Sequence, residues 1–62
     1  MENLKSKFFK RYANLPEGTR NEIVVVDKDG EPFTWRSVRI EINNETTKGE
    51  RLLELLNQLE LL

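Results

Sequence analysis

The chain has no cysteine and no histidine among its 62 residues. Those two absences exclude disulfide staples, zinc sites built from thiolate or imidazole, and every catalytic arrangement with a His base or a Cys nucleophile. Proline occurs twice and glycine three times, all at separated positions. Neither a Pro-rich linker nor a Gly-rich phosphate loop is therefore written here. No apolar run approaches the ~20 residues of a membrane span. Lys5, Lys7, Lys10 and Arg11 break up the first helix, where a secretory leader needs an unbroken apolar core. The expectation is a cytoplasmic protein with no membrane partner.

What the chain has is charge, leucine and a short β-branched run. A chain this short buries only about 60% of the surface it exposes when unfolded, so its stability is marginal without help. With disulfides and Cys/His metal sites excluded, oligomerisation is the remedy left beside unusually good packing. Charged residues make up 34% of the chain, a thermophile-like share, against which six asparagines argue. Net charge is −1, but its distribution is uneven. Residues 1–20 carry Lys5, Lys7, Lys10, Arg11 and Arg20 against Glu2 and Glu17, whereas residues 21–45 carry six acidic and three basic side chains. The halves either pair with each other or present a basic first helix to something acidic.

Residues 2–14 predict an amphipathic helix, with Leu4, Phe8 and Tyr12 on one stripe and Lys7, Lys10 and Arg11 opposite. Pro16 disfavours helical geometry at Leu15 and sets the end near Asn14. Leu15-Pro16-Glu17-Gly18 reads as a turn. Ile23-Val24-Val25-Val26 is a strand, because four consecutive β-branched residues restrict χ1 and suit a pleated surface. Asp27-Lys28-Asp29-Gly30 is the strongest local signal: Asp suits the first position of a type I turn and Gly30 supplies the left-handed residue. That turn pairs Val25 with Phe33 and Ile23 with Trp35, four side chains on one face.

The next stretch reads two ways. Val38-Arg39-Ile40-Glu41-Ile42 alternates like a strand, and extending the hairpin over residues 22–43 requires a bulge near Arg36-Ser37. Alternatively Thr34 caps a helix that aligns Trp35, Val38 and Ile42 but leaves Ile40 outside. The cleaner alternation favours the strand. Such a strand overhangs Ile23–Val26, so its backbone needs residues 17–21 or another chain. Asn43-Asn44-Glu45-Thr46 is a loop; its formal glycosylation triplet reads as loop chemistry. Thr47 with Glu50 matches a capping box for a helix over residues 48–61. Leu52, Leu53, Leu55, Leu56, Leu59 and Leu62 cover more of that helix than the roughly 100° stripe one sheet needs. Leu52, Leu55, Leu59 and Leu62 fall at heptad spacing, over too short a span to define a coiled coil.

The expected fold class is a small α+β domain over residues 1–62, in the order α-β-β-α, an antiparallel hairpin covered by an N-terminal and a C-terminal helix. The surplus apolar surface makes Val38, Ile40, Ile42, Leu52, Leu55, Leu59 and Leu62 the candidate self-association surface of a homodimer. An unidentified protein partner is the variant of that reading. Lys7, Lys10, Arg11, Arg36 and Arg39 are the candidate anion or nucleic-acid contacts, a less favoured reading. Trp35, Phe33 and Tyr12 lie beside some of these cations as a base-stacking platform would, but the hairpin register puts Trp35 and Phe33 under the helices. No catalytic residue, metal ligand or cofactor site is expected. Asp27 with Asp29 and Glu41 with Glu45 are the available carboxylate pairs; turn chemistry explains the first, and a calcium loop needs more ligands than it offers.

Phe8-Phe9-Lys10-Arg11-Tyr12-Ala13-Asn14-Leu15-Pro16 and Asp29-Gly30-Glu31-Pro32-Phe33-Thr34-Trp35 together resemble a group of short uncharacterised archaeal proteins. The likeness covers most of the chain. It implies a cytoplasmic protein of unknown function and transfers no site residues.

Overall fold

The structure is a computed structural model that describes residues 3–62. It is an α+β fold whose helices surround a two-stranded antiparallel hairpin. The first helix, α1, runs Leu4–Ala13; Glu2, included in the expected helix over residues 2–14, lies outside the described residues. The Asn3 side chain caps α1 by accepting from the Ser6 N–H at 2.8 Å. At the other end Asn14 Nδ2 donates to the Lys10 carbonyl at 3.0 Å. The expected turn after Leu15 contains a short helix, α2, Glu17–Arg20.

Strands β1, Ile23–Val26, and β2, Pro32–Thr34, form the hairpin. The Asp27 carboxylate accepts from the N–H groups of Asp29 and Glu31, both at 2.9 Å, and the Gly30 N–H donates to the Asp27 carbonyl. Gly30 has φ 82°, the left-handed conformation expected of it. Val25 faces Phe33, as the turn predicts. Ile23 does not face Trp35. An irregularity between Ile23 and Val25 sets Ile23 opposite Thr34, and Ile23 is 63% exposed. It is therefore not one of the core-facing side chains.

The larger correction concerns residues 35–43. They are a helix, α3, Trp35–Asn43, and not the second half of the hairpin. Thr34 Oγ1 accepts from the Ser37 N–H at 3.0 Å and ends the strand in the same residue. The helix buries Trp35, Val38 and Ile42 on one face and leaves Ile40 52% exposed on the other. The physical reason is backbone satisfaction. β1 is four residues long, so an extended Val38–Ile42 would have had no strand beside it, whereas a helix pairs its own N–H and C=O groups. One exposed isoleucine costs far less than a row of unpaired amides.

A three-residue connection, 44–46, leads to α4, Thr47–Gln58. The cap is Thr46, one residue before the expected Thr47; its Oγ1 accepts from the Gly49 N–H at 2.9 Å. Thr46 also closes α3, since its N–H reaches back to the Glu41 carbonyl while Glu45 takes φ 54°. The same closure ends α4 three residues before the expected Leu61. Glu60 has φ 60° and the Leu61 N–H donates to the Leu56 carbonyl at 3.0 Å. That turn folds Leu61 back against the core, although helical spacing assigns it to the polar side.

The core draws on every element except α2: Phe8 and Tyr12 from α1, Val25 and Phe33 from the hairpin, Trp35, Val38 and Ile42 from α3, Leu52 and Leu56 from α4. Phe8 is fully buried and its ring lies 5.8 Å from Tyr12 and 5.9 Å from Trp35, centroid to centroid. At Gly49 the backbone of α4 packs directly on that of α3. A Cβ there would stand 2.8 Å from the Glu41 carbonyl oxygen.

Candidate self-association surface

The candidate apolar surface divides. Val38, Ile42 and Leu52 are core residues and are not available to a second molecule. Leu62 is half-buried against the core, and Ile40 stands alone on the outer side of α3. Leu55 of α4, half-buried, and Leu59, the capping residue that follows the helix, 52% exposed, remain a turn apart. Ile23 and Val26 of β1 are also exposed apolar groups, the latter 53% exposed. The signal was present in the unbroken Ile23–Val26 run, which has more apolar side chains than a one-sided strand can bury.

Between the end of β1 and α4 lies an open groove of about 410 Å³. Val26, Asp27, Lys28 and Asp29 form one wall; Lys48, Arg51, Leu52 and Leu55 belong to the other. Apolar Val26, Leu52 and Leu55 share its lining with side chains of both charge signs. Lys48 is engaged with Glu31 at 3.4 Å. The two-stranded sheet has order β1-β2, so the edge of β1 away from β2 is unpaired among the described residues.

The five candidate cations fall into two groups. Lys7, Lys10 and Arg11 line a shallow depression with Asn14 and Leu62, and Arg11 Nε donates to the Leu61 carbonyl at 3.2 Å. Arg36 is held elsewhere, by Glu17 at 2.8 Å and by Asn21 Oδ1 at 2.9 Å. Arg39 lies over the Tyr12 ring at 5.4 Å. Arg20 stacks on the same ring at 4.5 Å and donates to the Tyr12 carbonyl, while its Nε is buried without a partner. Tyr12, Phe33 and Trp35 are all buried, so these aromatics offer no stacking platform.

The carboxylates have structural duties. Asp27 holds the hairpin turn, Glu41 accepts from Thr46 Oγ1 at 3.2 Å, and Glu45 faces Lys5 at 3.7 Å. Among the described residues no group of three acidic side chains is placed to hold a metal ion, and no helix is long and apolar enough to cross a membrane. Comparisons with protein-family models, curated proteins and solved structures gave no match.

Proposed function

We propose that the chain is a non-enzymatic interaction module of the cytoplasm that self-associates as a homodimer through Ile23 and Val26 of β1, Leu55 of α4 and Leu59 just past its end. The observation that carries this reading is the open groove lined by Val26, at the end of β1, and by Leu55 of α4, both apolar side chains that the core leaves uncovered in part. Small size supports it, because a chain of 62 residues gains a larger core by sharing one. Exposed strand edges invite pairing with another chain unless charge or proline blocks them.

Sedimentation equilibrium tests the reading. The expected result is a dimer at micromolar concentration, with Val26→Lys and Leu59→Lys each shifting the mass toward monomer while the circular dichroism spectrum stays unchanged. A wild-type chain that remains strictly monomeric up to millimolar concentration removes the proposal.

A further inference from the structure

We propose that the outer surface of α2 and α3 binds an acidic segment of another protein through Arg20, Arg36 and Arg39, and that Glu17 occupies part of that surface until the segment displaces it. Three relations bring the arginines together. Arg20 and Arg39 lie over the same Tyr12 ring, at 4.5 and 5.4 Å from its centroid. Arg36 and Arg39 stand one turn apart on α3. Arg20 and Arg36 face the two oxygens of the Glu17 carboxylate, at 3.9 and 2.8 Å. Three guanidiniums therefore share one carboxylate. None of these residues belongs to the apolar surface of Ile23, Val26, Leu55 and Leu59.

Their donors exceed what the chain supplies. Each guanidinium presents several N–H groups in a fixed fork. Arg39 is exposed and makes no hydrogen bond or ion pair with any described residue. Arg20 donates to the Tyr12 carbonyl at 3.1 Å, but its Nε has no partner and its approach to Glu17 is too long for a hydrogen bond. Glu17 is a weakly held occupant. Its side chain is 77% exposed and it stands on α2, the four-residue helix that contributes nothing to the core. Exposed pairs of this kind add little stability, so a carboxylate from outside competes with Glu17 on near-equal terms. The same pair identifies the anion that fits. Arg36 Nη2 donates to the Glu17 carboxylate at 2.8 Å, a charge-assisted distance. Nucleic acid fits less well, because Tyr12 and Trp35 are buried and give bases nothing to stack on, and three cations make a short track for phosphates.

The test titrates oligoglutamate into the protein at low salt and reads amide chemical shifts by NMR, with circular dichroism to confirm that each variant folds. The expected shifts centre on α2 and the first turns of α3. Glu17→Gln removes the competing carboxylate and is expected to tighten binding about fivefold, and Arg39→Gln to weaken it by about the same factor. Lys7→Gln, on the basic side of α1, is expected to leave the affinity unchanged. No binding to the wild-type chain overturns the proposal. Binding that Lys7→Gln abolishes and Arg39→Gln spares moves the contact to α1 and overturns it too. Unchanged or weaker binding in Glu17→Gln overturns the role of Glu17 as the displaced occupant. Oligothymidylate bound more tightly than oligoglutamate at the same salt overturns the acidic protein segment as the partner.

Discussion

The α3–α4 pair and the β1–β2 hairpin are built to opposite standards of closure. In the helical pair every end is accounted for. Thr34 caps α3, Thr46 both closes α3 and caps α4, and Gly49 lets the two backbones touch. The hairpin has one well-made turn and little else. One of its faces reaches the core through Val25 and Phe33, while Ile23 and Val26 stay exposed and the edge of β1 away from β2 has no strand beside it among the described residues. The difference separates where the fold is secured from where a partner can bind. Stability is concentrated where backbone groups and apolar side chains are satisfied internally, and association is expected where they are not.

The sharpest way to break that contrast is to remove a side chain from the closed region. Leu56 is fully buried, and Leu56→Ala is expected to cost about 2–5 kcal/mol, read from urea melts. A cost near that of a surface substitution would show that the helical pair does not anchor the fold.

A pair of glycine substitutions comes next. Gly49→Ala drives a Cβ to 2.8 Å from the Glu41 carbonyl oxygen and is expected to destabilise by about 1–3 kcal/mol despite alanine's higher helix propensity. Gly18→Ala in α2 meets nothing within 4 Å and is expected to stabilise by up to about 1 kcal/mol. Opposite signs for the same substitution are the signature of backbone contact at Gly49; equal signs would deny it.

The smallest effect is a gain. Glu45 holds the left-handed position that closes α3, at φ 54°, where a side chain is disfavoured and glycine is not. Glu45→Gly is expected to add about 0.5 kcal/mol, because the exposed Lys5–Glu45 pair it removes is worth little. A loss in melting temperature would mean that the pair with Lys5 outweighs the backbone strain.

The legible features were those written in adjacent residues. Asp27–Gly30 specified its turn, Pro16 and Asn14 the end of α1, and Thr34 the cap of the alternative helix. The candidate surface was less legible. Leu52 looked like surplus because a helix with six leucines exceeds what one sheet can cover, and Val38 and Ile42 because a strand over these residues overhangs Ile23–Val26. With α3 as a helix, α4 meets two neighbours as well as the sheet, and much of the surplus becomes core. Ile23 was hidden for the converse reason: the register from the turn is right through Val25, and the irregularity beyond it turns Ile23 outward.

The first and last helices, the Ile23–Val26 strand and the hairpin turn were determined by local sequence, since each depends on residues within a few positions of one another, and composition alone determined the absence of thiol or imidazole chemistry. Whether Trp35–Asn43 would be strand or helix was decided only by the tertiary structure. Its alternation suits a strand and its cap suits a helix, and local preferences that close are settled by what lies alongside. No strand is available to pair with it, while Phe8, Leu52 and Leu56 complete a buried core with Trp35, Val38 and Ile42 on a single helical face.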